Sequence, residues 1–372
     1  MRVPFLDLRA AYLELQGEID AAVARVLASG WYLAGPEIEA FEAEFASYCD
    51  NRHCVAVASG SDALELTLRA LDIGPGDEVI VPSHTFIATW TAVSATGARP
   101  VPVEPDEVTY LIDPARIEAA VTGRTRAIMP VHLYGQPVDL EAVVAVADRH
   151  GLAVVEDAAQ AHGSRYRGRR IGSGTTATAF SFYPGKNLGA LGDGGAVVTA
   201  DPELADRLRL LRSYGSRVKY RHEIRATNHR LDELQAAVLR VKLARLDEWN
   251  DRRRQVADRY LTELTGFADL TLPTVAAWSD PVWHLFVLRT PDRQQLQERL
   301  SAAGVDTLIH YPVAPHRTPA YADTPLAAGA YPIAERLADQ VLSLPMGPHL
   351  SAEAVTAVVR AVGASAGLAA AR

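Results

Sequence analysis

The sequence predicts an α/β protein: a mainly parallel, seven-stranded sheet flanked by helices, with a smaller C-terminal α/β domain. Three observations carry this. Seven short runs are apolar on both faces, as strands covered on both sides of a parallel sheet are. Segments of helical period separate them, the pattern of βαβ units. A long helical stretch, 230–264, then leads into a second, shorter α/β series. A chain of 372 residues has room for two to three domains and a sizeable core. The expected division is a large domain over 1–248 and a small one over 249–372.

The elements follow in order. Leu15, Ile19, Ala22, Val23, Val26 and Leu27 share one helical face within 7–29, and Gly30 stops that helix. Pro36, a favoured first-turn residue, opens a second helix through EIEAFEAEFASY. CVAVAS (54–59) precedes SDALELTLRAL, and DEVIVP (77–82) precedes TFIATWTAVSATG. RPVPVEP (99–105) precedes DPARIEAAV, and RAIMPVHL (126–133) precedes DLEAVVAVADRHG. LAVVEDAA (152–159), AFSFYP (179–184) and the start of GGAVVTADPELADRLRLLRSYG (194–215) complete the seven. The 230–264 pattern is long enough to link two domains, with a break expected near Trp249. VWHLFVLR (282–289) and DTLIHYP (306–312) read as strands around the helix DRQQLQERLSAAG, with two further helical segments beyond. The chain has no internal repeat, and the tail ASAGLAAAR is expected to fray.

Composition narrows the function. The net charge of −8 opposes broad binding to nucleic acid or anionic membranes. Cys49 and Cys54 offer neither a disulfide framework nor zinc-ligand spacing, which fits a reducing cytoplasm. The N-terminal stretch has no signal-peptide core, and no apolar run approaches the roughly 20 residues that span a bilayer. HEIRA (222–226) lacks the second His of H-E-x-x-H, G-x-S-x-G is absent, and the eleven histidines have no ligand spacing. No metal is expected.

SFYPGKNLGALGDGGA (181–196) sets one lysine between a strand-like run and a glycine tract. The chain has three lysines, Lys186, Lys219 and Lys242, against 34 arginines. Arg is effectively never deprotonated, whereas a desolvated Lys amine can be neutral and nucleophilic. Lys186 is therefore a candidate for chemistry that Arg cannot perform; an exposed loop lysine is the plain alternative. Ligands of such sheets bind beyond the carboxyl ends of the strands, where VVEDAAQAHG (154–163) puts Glu156, Asp157 and Gln160. An Asp there also suits a helix N-cap. A buried carboxylate, however, needs a cationic partner, and a protonated pyridine nitrogen is one. Pyridoxal 5′-phosphate (PLP) asks for a Lys, an acid on its ring nitrogen, an aromatic face and a phosphate cup. Gly60 and Ser61, between a strand and a helix, offer the cup, and Ser181 a hydroxyl. Phe86 offers the ring, with a core aromatic as its alternative. Gln160 can reach the ring hydroxyl. The segment 212–230 holds six Lys/Arg and one acid. It reads as a solvated loop or as an anion-binding patch that includes Lys219.

Taken in order, these motifs resemble the DegT/DnrJ/StrS group of PLP-dependent nucleotide-sugar aminotransferases, whose fold is the aspartate-aminotransferase type (fold type I). The resemblance spans essentially the whole chain: FLDL, GSDAL, GDEVIVPSHTF, PVHLYG, VVEDAAQAHG, SFYPGKNLG, GDGGAVVT, RLDELQAAVL and HYP. It implies that Lys186 carries PLP, Asp157 holds the pyridinium, Gln160 contacts the ring hydroxyl and Phe86 stacks on the ring. Gly60, Ser61 and Ser181 correspond to phosphate contacts. Asn228 matches an Asn that reaches the phosphate of the neighbouring subunit, which implies a homodimer with shared sites. His310 and Tyr311 match positions that line the sugar pocket, with buried packing residues as the alternative; Tyr183 and Lys219 complete the expected substrate contacts. The resemblance also implies L-glutamate as donor and a dTDP-linked keto-deoxyhexose as acceptor, in amino-sugar biosynthesis. SFYPGKNLG followed by GDGG resembles the branch that aminates C3. Many C4 enzymes have His at the Tyr183 position, and C4 is the alternative. Members that dehydrate their substrate carry His in place of Lys186. A non-catalytic sensor on this fold is the alternative from another class, which intact Lys186, Asp157 and Gln160 oppose.

Overall fold

The computed structural model describes residues 2–267 and 269–366. Its first half runs α1 (Leu8–Glu14), α2 (Gln16–Ser29), α3 (Pro36–Tyr48), β1 (His53–Val57), α4 (Gly60–Ala70), β2 (Glu78–Pro82), α5 (Ala88–Ala95), β3 (Arg99–Val103), α6 (Pro114–Ile117), β4 (Thr125–Ile128) and α7 (Leu140–His150). The strands β5 (Ala153–Asp157), β6 (Arg165–Tyr166), β7 (Arg169–Arg170), β8 (Ala177–Ser181) and β9 (Gly195–Thr199) follow. Then come α8 (Pro202–Leu211), α9 (Glu233–Leu243), α10 (Leu246–Glu263), β10 (Ser279–Asp280), β11 (Phe286–Arg289), α11 (Arg293–Ala302), α12 (Pro332–Gln340), β12 (Val341–Leu344) and α13 (Ala352–Ala366).

The seven runs expected as strands form one sheet, in the order β1-β9-β8-β5-β4-β2-β3. Only β9 runs against its neighbours β1 and β8; the other pairs are parallel. The carboxyl ends of β1, β2, β5 and β8 therefore share one edge. Both faces are covered, which is why β2 and β9 are buried at every position. On one face Phe41, Phe45, Phe180 and Phe182 pack together, with Phe45 edge-on to Phe180 at 5.0 Å. Phe180 and Phe182 alternate along the chain and so point the same way. On the other face Leu64, Leu66, Leu68 and Trp90 form a second core. A third core joins α10, α11 and α13 to the antiparallel pair β11–β12 through Tyr260, Phe286, Leu342 and Val358.

Four expectations change. The first helix is two, because Leu15 leaves helical geometry (ψ 17°) and packs inward with Val238 and Trp249. The long helical pattern breaks at Ala244–Arg245 rather than near Trp249. There Arg245 N–H bonds the Lys242 carbonyl, three residues back, and tightens the turn. DTLIHYP is not a regular strand: only Leu308 bridges Ser343, and the fully buried run Val341–Leu344 pairs with β11 instead. The helix expected in DPARIEAAV shrinks to Pro114–Ile117 and a short 3₁₀ turn. Of the tail, residues 367–372 lie outside the described residues.

Candidate active site

Asp157 ends β5 and is buried, 5% exposed. Its Oδ2 accepts from the Thr89 hydroxyl at 2.8 Å, and its Oδ1 accepts from Ala159 N–H at 3.1 Å. No helix follows, so its capping is confined to that tight turn. Among the described residues no cation bonds it. Burial raises its carboxyl, against the hydrogen bonds from Thr89 and Ala159 and the charge of Lys186. Glu156, one residue earlier, faces the other way and accepts from His132 Nε2 at 2.7 Å and Thr178 Oγ1 at 2.8 Å. Val138 N–H donates to His132 Nδ1, which leaves the proton on Nε2.

Lys186 follows β8 in a turn closed by its own N–H on the Tyr183 carbonyl, 2.8 Å. The side chain is not on an open surface. Burial lowers its amine to about 8, and the charge of Asp157 offsets part of that effect. The turn is clamped from outside. Asn187 Nδ2 donates to Asn250 Oδ1 at 2.8 Å and to the Val282 carbonyl at 2.9 Å, and His284 Nδ1 lies 3.2 Å from Asn187 Oδ1. The buried Lys242 donates to the Gly189 carbonyl at 2.6 Å. A Cβ on Gly189 would lie 2.3 Å from the Pro184 carbonyl, so the turn admits no larger residue there. Two of the three lysines thus serve one turn.

Gly60 opens α4, whose first turn is capped by Ser59. A Cβ on Gly60 would lie 2.5 Å from Ser181 Cβ; the bare backbone is what brings this helix N-terminus against the end of β8. Ser61 is exposed beside it. Phe86 is 51% exposed, which excludes a core role, and its ring sits 5.3 Å from that of Tyr311. Gln160 lies one turn beyond Asp157. Its Oε1 accepts from Tyr134 N–H at 2.6 Å, and its Nε2 donates to Tyr311 Oη at 2.9 Å.

Tyr134, in the left-handed region at φ 60°, is a hub. Besides holding Gln160, its hydroxyl donates to the His310 carbonyl, so the 2.9 Å contact with His84 Nε2 is donated by His84. His310 Nδ1 contacts Ser343 Oγ at 2.7 Å. Burial lowers both His84 and His310 to about 4, which keeps them neutral, and pushes the Tyr311 hydroxyl up. His310 and Tyr311 are half-buried, with Tyr311 packed against the main core.

The basic segment divides. Arg212 pairs with Glu42, and Arg217 with Asp206 and Glu223. Lys219, Arg221 and Arg225 are exposed and have no carboxylate partner among the described residues; Lys219 lies 5.2 Å from the Tyr220 ring. Tyr183 is 60% exposed. Asn228 is exposed, with backbone pairing to Ser213. No hydrogen bond joins Lys219 or Asn228 to the residues around Lys186 within the described chain.

These residues fit PLP: a buried carboxylate short of a cation, a desolvated amine, an open aromatic face, and a helix N-terminus that only glycine allows against Ser181. Thr89, Tyr134, Asn187, Lys242, Asn250 and His284 were not singled out for the site by sequence reasoning. Only Lys242 carried a signal, the rarity of lysine. Among the described residues no cluster of His, Cys, Asp and Glu is arranged for a metal, and no helix is long and apolar enough to cross a membrane.

A model of the DegT/DnrJ/EryC1/StrS aminotransferase family matches residues 14–363. The erythromycin biosynthesis sensory transduction protein EryC1 of Saccharopolyspora erythraea is 66% identical over 366 residues, 98% of this chain and 100% of its own length. The dTDP-3-amino-3,4,6-trideoxy-α-D-glucose transaminase of Streptomyces venezuelae is 63% identical over 361 residues, 97% of this chain and 95% of its own. The crystal structure of S. venezuelae DesV in complex with a ketimine intermediate superposes with a TM-score of 0.97, at 63% identity and 98% coverage of both chains.

Proposed function

The chain belongs to the DegT/DnrJ/EryC1/StrS aminotransferase family, PLP enzymes of fold type I, and on that premise we propose that it moves the amino group of L-glutamate to C3 of a dTDP-linked keto-deoxyhexose. The observation that carries the reading is the pairing of a desolvated Lys186 with a buried Asp157 that lacks a cation. The 63% identity to a transaminase named for a dTDP-3-amino sugar supports the carbon.

When bound, PLP supplies an electron-withdrawing ring that accepts the electrons freed as a substrate proton leaves. Asp157 is suited to keep the ring nitrogen charged, since a protonated nitrogen is the partner its burial demands. Lys186 would be the covalent attachment point and, once released, the base and acid that takes up and gives back the proton at the reacting substrate carbon. An amine lowered to about 8 is partly neutral near physiological pH, as both roles require. Gln160 offers the ring oxygen an N–H because its own carbonyl is occupied by Tyr134. Phe86 covers one ring face. Gly60, Ser61 and Ser181 hold the phosphate, helped by the unpaired N–H groups of the helix start.

The remainder of the site is assigned to the substrate and a second subunit. In a homodimer, Asn228 reaches the partner's phosphate cup. Lys219, with Arg221 and Arg225, is free to meet the diphosphate, and Tyr183, His310 and Tyr311 line the sugar. Residues 1–248 then form the cofactor domain and 249–372 the part that completes the substrate pocket, in a cytoplasmic enzyme of amino-sugar, and by its relatives antibiotic, biosynthesis. The test offers 3-keto and 4-keto dTDP sugars separately with PLP and glutamate, and reads the product by NMR. An amino group at C3 is expected. An amino group at C4 with the 3-keto sugar untouched overturns the regiochemistry, and no transfer to any sugar favours a sensor, the role in the name of the 66%-identical relative.

A further inference from the structure

We propose that Thr89, backed by Thr85, is a positioning residue that fixes the Asp157 carboxylate and sets how firmly it keeps a bound ring nitrogen charged. The proposal rests on the PLP reading above. Thr89, on α5, is wholly buried, and its Oγ1 lies 2.8 Å from Asp157 Oδ2. A hydroxyl has one proton, and an ionised carboxylate only accepts. Thr89 therefore spends its proton on Asp157. Its second contact, 3.0 Å to Thr85 Oγ1, is then donated by Thr85. The result is a directed chain, Thr85 to Thr89 to Asp157, in which each link polarises the next.

The chain is anchored. Trp90 Nε1 donates to the Pro82 carbonyl at 2.9 Å and ties the start of α5 to the end of β2, so Thr89 has no freedom to withdraw. Asp157 Oδ1 is held by Ala159 N–H. The charged and titratable groups near Asp157 are Lys186, His132 and Tyr311; His132 is already committed to Glu156, and the Tyr311 hydroxyl, which burial pushes up, accepts from Gln160. Thr89 is thus the one side-chain donor on this carboxylate among the described residues. Valine matches threonine in shape, so packing alone does not call for the hydroxyl. Donation to the charged carboxylate lowers its proton affinity, and an ionised Asp157 favours a positive ring nitrogen.

That nitrogen repels a proton on the nearby Lys186–cofactor nitrogen. If Asp157 becomes more basic, the shared proton moves toward it and the ring loses positive charge. The Lys186–cofactor nitrogen then keeps its proton to higher pH. Holoenzyme forms of wild type, Thr89→Val, Thr89→Ser and Thr85→Val are compared in two ways: the pH midpoint of the visible absorbance band, and PLP retention in equilibrium dialysis. Thr89→Val is expected to raise the midpoint by about half a pH unit or more and to weaken retention by about tenfold. Thr89→Ser restores both, and Thr85→Val shifts both in the same direction by less. Wild-type values in Thr89→Val, or equal impairment in Thr89→Ser, overturn the proposal. If Thr89→Val fails to fold or to hold PLP, an unshifted Thr85→Val overturns it and a shifted one supports it. A wild type with no lysine-linked band defeats the PLP reading instead.

Discussion

The turn 181–190 and the segment 212–230 both hold a lysine at an expected site, and they are built in opposite ways. Around Lys186 the chain spends bonds from α9, α10 and residues 282–284 on a single turn: Lys242 on Gly189, and Asn250, Val282 and His284 on Asn187. Around Lys219, Arg221 and Arg225 no carboxylate of the described chain answers three exposed cations. A residue held on several sides keeps its geometry without a ligand, which covalent chemistry needs. The segment 212–230 is tied mainly to itself, as by Tyr214 N–H on the Thr227 carbonyl and Glu223 N–H on the Gly215 carbonyl, and its exposed cations gain by meeting an anion or a second subunit. On the proposed function, the first region serves the reaction and the second an encounter.

The largest effect expected is at Lys186. Lys186→Ala should lower turnover by roughly 10⁴-fold or more while circular dichroism and melting temperature stay near wild type. An active variant removes the distinction between the two regions. Next is pH. Only the neutral amine attacks PLP, and burial lowers Lys186 to about 8. Uptake of PLP by the apo protein should therefore rise with pH and level off above about 8, being on the order of 100-fold slower two units lower. A midpoint near that of an ordinary lysine would show that Lys186 is solvated after all. Lys219→Ala and Arg221→Ala should raise KM for the sugar nucleotide about tenfold with kcat nearly unchanged, less so in high salt. A fall in kcat alone would move these cations into the reacting group. The smallest effect comes from mixing. Lys186→Ala and Asn228→Ala chains, each inactive, should together regain about a quarter of full activity, because random pairing makes half the dimers mixed and each mixed dimer has one intact site. Mixed dimers that stay inactive place Asn228 outside the partner's site.

The same contrast explains what the sequence disclosed. The seven strands were legible because burial on both faces leaves an unbroken apolar run. Lys186 was legible because lysine is rare here, and Asp157 because an acid ended such a run. Thr89, Asn187 and Asn250 were not, since their roles come from bonds across 68 and 63 residues that no local pattern encodes. Tyr134 fell just past the run RAIMPVHL and was given no role; its left-handed backbone turns it toward Gln160 and His310. DTLIHYP had a strand's composition, but pairing is decided by which apolar run reaches β11, and that is Val341–Leu344. Tyr183 and Asn228 were named only through the family resemblance, and in one chain they remain exposed.

The most direct test of the account is to reduce the holoenzyme with borohydride and map the adduct by peptide mass spectrometry. Lys242 is the telling control, since burial lowers its amine to about 8 as well, yet it is bonded to the Gly189 carbonyl rather than set beside Asp157. One pyridoxyl adduct is expected, on the peptide containing Lys186. An adduct on Lys242 or Lys219 would contradict it.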